Sequence, residues 1–390
     1  MSIRQVIDDA VYFMSKAKLD GWLIYDYKGI NPVMNEIVGV VENVTRPVFL
    51  WIPVLGQPEL LVSYVDVGRF SRIDLQKEIF VGRKEMVSKL QKLLKGNSNI
   101  AMEYSPRAQL PKVSSVDAGT LELIKTFGSS IHSSADMIVY ATQRWNNQSL
   151  SSHIKSGEIL GEIVISAFEF IQGNINKGIT EIEVRDFIRK KFVENKMYFD
   201  EGPVVAINEN SSDPHFDPET SDGRQFNIGD WVLIDLWAKL DTASSMFSDI
   251  TWVGYIGSKV PSKNQKVFDI VVEARDLAVL AIAERFKEGK PIHGWEVDKI
   301  ARDYISKSGY GNYFNHRLGH SIGPEVHSSG VNLDNLETVD TREIIPGIGL
   351  TVEPGIYLPE FGVRSEIDIF ITEKGPRITT PVQKSIITIS

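Results

Sequence analysis

The 390-residue chain sets 42 Lys and Arg against 51 Asp and Glu, a net charge of −9, with no cysteine and 42% hydrophobic residues. That composition excludes disulfides, thiolate metal sites and thiol nucleophiles, and it argues against disorder or a coiled coil. No apolar run nears the ~18 residues a membrane span needs, no basic cluster points to nucleic acid, and about 150 residues per domain predicts two or three domains.

In chain order, residues 3–16 carry helical periodicity, and 21–25, 48–53 and 60–64 read as strands, the last two split by Gly56-Gln57-Pro58. Residues 85–94 read as a helix, and 99–104 and 137–140 as further strands. Residues 1–142 are therefore expected to form an α/β domain, and no catalytic constellation falls within it. Asp8 and Asp9 near the start do not fit a signal peptide, so cytoplasmic residence is expected. Residues 143–149 are polar and aperiodic and predict the boundary, with a second domain at 149–390.

The second domain repeats one order of elements. A long amphipathic helix at 154–171, stopped by Gly173, precedes a helix opened by the capping box Thr180-x-x-Glu183, and strands follow at 203–207, 231–236 and 247–255. A helix capped by Ser262 and stopped by Gly289 then precedes one at 295–305, with strands at 349–352 and 363–372. Two such halves predict a pseudo-symmetric α+β domain with a site between them.

Each half sets two acids on or beside apolar strands: Asp235 and Asp249 in the first, Glu353 and Glu366 in the second. A single strand acid is commonly a paired core carboxylate; four in matched positions need compensation of another kind. Three of the seven histidines, His316, His320 and His327, fall in one glycine-containing stretch. Two divalent cations would neutralise four carboxylates, with one imidazole as a further ligand. An oxygen-rich set with one nitrogen and no sulfur suits a hard to borderline ion such as Mn²⁺, Co²⁺, Fe²⁺ or Zn²⁺. Two such ions ~3.5–4 Å apart can share a water and hold it as hydroxide for attack on a carbonyl. The residues therefore predict a two-metal hydrolase.

These motifs resemble those of the pita-bread metallopeptidases of peptidase family M24: methionine aminopeptidase, aminopeptidase P and prolidase, with creatinase as a metal-free relative. The resemblance implies a C-terminal pita-bread catalytic domain behind a smaller creatinase-type N-terminal domain. It implies Asp235, Asp249, His320, Glu353 and Glu366 as metal ligands, with Asp249 and Glu366 bridging. Glu353 would also shuttle a proton, His215 and His327 would serve catalysis at the scissile bond, and His316 and Arg364 would line the substrate pocket. The implied activity is release of an N-terminal residue, preferentially from Xaa-Pro bonds of short peptides, through a hydroxide bridging two metals, in a homodimer that binds neither nucleic acid nor membrane. An Xaa-Pro dipeptidase is the alternative; a creatinase-like hydrolase or a non-catalytic binding module fits five intact ligands less well.

Three departures from the family pattern stand out. Asp235 and Asp249 are fourteen residues apart where eleven is usual, which lengthens the hairpin tip around 241–245. Trp237 replaces a glycine and either caps the cleft or packs against the N-terminal domain, and Trp252 replaces an arginine. The prolidase Glu and Arg after the last histidine are absent from Ser328-Ser329-Gly330-Val331, which weakens a strict dipeptidase reading unless Arg342 or Arg364 substitutes.

Overall fold

The structure, a computed structural model, describes residues 2–214, 216 and 223–390. It comprises two compact units, Met1–Arg144 and Trp145–Ser390.

In the first unit, α1 (Ile3–Ala17) is capped by the Ser2 hydroxyl, which accepts from the Gln5 amide. There follow β1 (Gly21–Tyr27), α2 (Pro32–Val38), β2 (Pro47–Pro53), β3 (Glu59–Ser63), β4 (Gln76–Phe80), α3 (Arg83–Leu93), β5 (Asn99–Met102), α4 (Ala118–Lys125), β6 (Ser130–Ser133) and α5 (Ala135–Thr142). The strands form one mixed sheet in the order β4-β3-β2-β1-β5-β6. β1 is buried on both faces because Trp22 and Ile24 join the apolar cluster of α1, α2 and α5, while Leu23 joins that of α3 and α4. Residues 137–140, expected as a strand, lie in α5. Ala135, Met137, Ile138, Val139 and Ala141 are all buried, so the short run has no polar face from which a helical period could be read.

The second unit opens with α6 (Asn147–Asn174), which runs through Gly173, and α7 (Glu181–Glu194), whose capping box between Thr180 and Glu183 is formed in both directions. Then come β7 (Met197–Tyr198), β8 (Val204–Ile207), β9 (Trp231–Leu240) and β10 (Ser248–Ile256). The second half has α8 (Ser262–Lys287), α9 (Gly294–Lys307), β11 (Ser321–Ile322), β12 (Gly349–Val352), β13 (Gly355–Leu358), β14 (Phe361–Arg364), β15 (Ile367–Thr372), β16 (Gly375–Ile378) and β17 (Ile387–Ile389). Pro261, not Ser262, occupies the N-cap of α8. The expected strand 363–372 is two strands, because the chain leaves the β13–β14 pair at Arg364 and enters the sheet β11-β12-β15-β16 at Ile367. The other sheet, β17-β10-β9-β7 with β8 also on β9, packs its apolar face against α6 and α7.

Candidate metal centre and active site

The β9–β10 hairpin sorts its side chains by the period of the strand. Ile234, Leu236, Ala238, Ile250 and Trp252 face the α6–α7 core. Asp235 and Trp237 alternate with them, and the register sets Asp235 opposite Thr251 and Trp237 opposite Asp249. Trp252, where an arginine was expected, is thus a core residue, 8% exposed, and its indole nitrogen has no hydrogen-bond partner among the described residues.

Backbone bonds tie this hairpin to the second half of the unit. The Asp249 amide donates to Asp368 Oδ2 at 2.8 Å, the Glu366 amide to the Thr251 carbonyl at 3.3 Å, and the Thr251 hydroxyl to Glu366 Oε2 at 2.7 Å. Asp249 and Glu366, 117 residues apart in sequence (366 − 249), therefore meet across two sheets. His320 reaches them on a segment laid against β12: its amide donates to Thr351 Oγ1 at 2.9 Å, and its carbonyl accepts from the Thr351 amide at 2.9 Å. Such close approach demands glycine at 319, where a Cβ would lie 2.1 Å from the Thr351 carbonyl oxygen. Glu353 follows β12 directly, its amide donating to the Leu318 carbonyl at 2.8 Å.

One ligand atom each from Asp249, His320 and Glu366 lies within 4.8 Å of the others. His320 Nδ1 faces the Ser321 carbonyl at 3.2 Å, which assigns the proton to Nδ1 and leaves Nε2 the lone pair on the side of Glu353 Oε1, 3.4 Å away. The His327 ring stands edge-on to His320 at 4.4 Å. Asp235, Asp249, His316, His320, His327, Glu353, Arg364 and Glu366 all border one cavity of about 670 Å³, so the expected site residues that the structure describes are brought together. His215 lies outside the described residues.

Burial is the first cause of the charge state here. It drives the carboxyl groups of Asp249 and Glu366 well above the ordinary carboxylate range, and the neighbouring acids push the same way. Glu353 rises to about 7, chiefly through burial, with Arg364 opposing. Among the described residues, Asp235 Oδ1 and Asp249 Oδ1 are buried without a hydrogen-bond partner, which native proteins rarely tolerate in a carboxylate. Orphaned oxygens, crowded acids and one oriented imidazole are the donor set a hard to borderline divalent cation requires, and the residues fit such a group.

A cationic brace, not anticipated from the sequence, organises the acids. Arg364 Nη2 donates to Asp235 Oδ2, Nε donates to Thr251 Oγ1 at 2.9 Å, and Nη1 donates to the Tyr357 hydroxyl at 3.0 Å. Tyr357 is 2.8 Å from His316 Nε2, and His316 Nδ1 is 2.7 Å from the Arg317 carbonyl. The imidazole therefore donates from Nδ1 and accepts the tyrosine proton. It stays neutral, because burial and then Arg364 lower its pKa to about 3. Arg342, a candidate for a substrate carboxylate, is 2% exposed and spends its donors on Asp340 and the Ser329 carbonyl. Trp237 lines the cavity with its ring against Gly202, where a Cβ would lie 2.5 Å from the indole.

The family model of metallopeptidase family M24 matches residues 155–373. The chain belongs to this family. An uncharacterised peptidase of Staphylococcus haemolyticus is 34% identical over 269 residues, covering 67% of this chain and 70% of the relative. Among solved structures, the prolidase of Pyrococcus horikoshii aligns with a TM-score of 0.66 and 28% identity over 98% of this chain and 99% of that one. The dipeptidase PepE of Mycobacterium ulcerans shares the fold at a TM-score of 0.74 and 20% identity, over 99% and 98% of the two chains. The pita-bread fold and membership of a hydrolytic metallopeptidase family are thereby shown. No helix among the described residues is long and apolar enough to cross a membrane.

Proposed function

We propose that this M24 metallopeptidase is an exopeptidase that removes the N-terminal residue of short peptides, with preference for Xaa-Pro bonds, in a homodimer resident in the cytoplasm. One observation carries the reading: four acids and a histidine from both halves of the second unit converge on one cavity, Asp249, Glu366 and His320 buried and Asp235 and Glu353 half-buried, with two carboxylate oxygens unpartnered among the described residues. The ligands are assigned as Asp235, Asp249, His320, Glu353 and Glu366, for two divalent cations, with Mn²⁺ the first choice. Such cations polarise the scissile carbonyl and lower the pKa of the attacking water.

The chain supplies the rest. Glu353, at the edge of the same cavity, is assigned the transfer of a proton to the leaving nitrogen. In an Xaa-Pro bond the amide nitrogen carries no hydrogen before cleavage, so the N–H of the released secondary amine is the one this transfer supplies. His327, beside His320, is placed to donate to the oxygen on which charge develops. His316, held neutral against Tyr357, offers a flat and uncharged wall to a proline ring. Arg364 orients Asp235 through its Nη2 bond. His215 is assigned to the same substrate pocket, and the first unit is read as a creatinase-type domain.

A dipeptidase is the second reading, favoured by the 28% identity to a protein titled a prolidase. Against it, Arg342 is already committed to Asp340 and Arg364 to Asp235, so neither is available for a dipeptide carboxylate. Apo protein reconstituted with each of several metals and offered Xaa-Pro, Xaa-Pro-Yaa and Xaa-Ala-Yaa peptides decides between the two. Cleavage of Xaa-Pro-Yaa is the expected result. Cleavage of dipeptides alone would move the assignment to prolidase, and no cleavage with any metal would refute both.

A further inference from the structure

From Asp235, midway along β9, the strand runs on to Lys239 with Asp235, Trp237 and Lys239 on one face. At Lys239 a second cavity of about 730 Å³ opens. It adjoins the first, because Asp200, Val326 and His327 border both. Its walls are apolar and aromatic at Tyr198, Phe247 and Val326, Lys239 supplies its positive charge, and Asp200, Asp241 and Glu325 also border it.

The ammonium of Lys239 is held firmly and joins no ion pair among the described residues. Nζ donates to the Pro324 carbonyl at 2.6 Å and sits 5.2 and 4.8 Å from the ring centres of Tyr198 and Phe247. Two of its three N–H bonds remain for a ligand. Partial burial lowers its pKa while Glu325, Asp200 and Asp241, which border the same cavity, favour its charged form, and none of the ion pairs among the described residues includes it. A partly desolvated cation without a paired anion is unfavourable unless a ligand brings one.

Every linear peptide carries one such anion, the carboxylate at its C-terminus. Four residues of strand separate Asp235 from Lys239, roughly 13 Å at about 3.4 Å per residue. The carboxylate of a dipeptide lies only one residue, about 3.5 Å, beyond the bond to be cut. Peptides of three or four residues span the gap once the reach of the lysine side chain is counted.

We propose that Lys239 anchors the free C-terminal carboxylate of tri- and tetrapeptides in this second cavity, a specificity-determining role that rests on the exopeptidase reading. Trp237, between anchor and ligand cluster, forms the wall along which the peptide lies. The three nearby acids disfavour acidic residues in the part of the substrate that occupies the cavity.

The test compares Xaa-Pro-Yaa with its C-terminal amide on the metal-loaded protein, together with calorimetric binding of the products Pro-Yaa and Pro-Yaa amide. The intact protein should prefer the free acid by about tenfold in kcat/KM, carried by KM, which corresponds to about 1.4 kcal/mol. Lys239→Met should abolish the preference with kcat unchanged, and Lys239→Arg should retain it. Equal use of acid and amide by the intact protein, or a preference that survives in Lys239→Met, would overturn the proposal. If no peptide is cleaved, the exopeptidase reading fails on its own, and calorimetry still decides: acid-selective binding lost in Lys239→Met supports the anchor, whereas unselective or absent binding removes it.

Discussion

Replacing Asp249 by asparagine tests the electrostatic argument in two directions at once. Without metal, the Asp249 carboxyl is buried at 5% exposure among Glu366, Asp235, Asp368 and Glu353, all of which oppose its charge. A neutral side chain of the same shape relieves that repulsion, so apo Asp249→Asn should melt higher than apo wild type. With metal the order reverses. A ligand at one hundred times its Kd stabilises the native state by about 2.7 kcal/mol. For a domain of about 150–250 residues each kcal/mol moves Tm by about 2–4 °C, so the transition of the second unit, 246 residues (390 − 145 + 1), should rise by about 5–11 °C in the wild type. Asp249→Asn removes one of the three converging donors and should keep less than about 2 °C of that shift. Differential scanning calorimetry with and without Mn²⁺ reads both effects. A variant that melts like wild type in both conditions would refute the placement of Asp249 among opposing charges and its role as a ligand.

Other consequences are as specific. Gly319→Ala would set a methyl 2.1 Å from the Thr351 oxygen and push His320 off β12, so chemical denaturation should show a loss of about 1–3 kcal/mol and the metal-induced Tm shift should shrink. Tyr357→Phe removes the hydroxyl shared by Arg364 and His316 and should lower kcat/KM about tenfold while the bound-metal content, measured by mass spectrometry, stays unchanged. The two units should answer pH in opposite senses. Burial raises Glu103 to about 7 from 4.5, so its contribution to the first unit is full below pH 4.5 and is lost as pH rises toward 7. Burial lowers His153 to about 4 from 6.5, so its contribution to the second unit is full above pH 6.5 and is lost as pH falls toward 4. Each amounts to about 3 kcal/mol at 1.36 kcal/mol per pH unit. Unfolding followed by hydrogen exchange in each unit should show the two trends, flattened by Glu103→Gln and His153→Gln respectively.

Much of this was legible before any coordinates, for a physical reason. Metal-ligand chemistry demands particular residue types on strands of fixed period, so Asp235, Asp249, His320, Glu353 and Glu366 stand out against apolar neighbours. Capping chemistry is equally local, which is why the Thr180–Glu183 box reads directly. What failed to read depends on contacts distant in sequence. The Arg364 brace joins residues up to 129 positions apart, and no motif announces that Tyr357 completes it. Trp237 remained ambiguous because its packing partner, Gly202, lies in a loop without periodicity. The helix at Ala135–Thr142 looked like a strand because Met137, Ile138 and Val139 are buried in succession, and the break at Ser365–Glu366 has no glycine or proline to mark it. Lys239 was invisible for a simpler reason: one lysine on a strand becomes informative only once the cavity it borders is known.

The central claim is that the five side chains are a cage for two cations. Anomalous diffraction from crystals soaked in Mn²⁺ measures this directly. The account predicts two peaks, both within coordination distance of Asp249 and Glu366, with His320 and Asp235 on opposite ions. A single peak, peaks elsewhere on the chain, or none at saturating Mn²⁺ would contradict it.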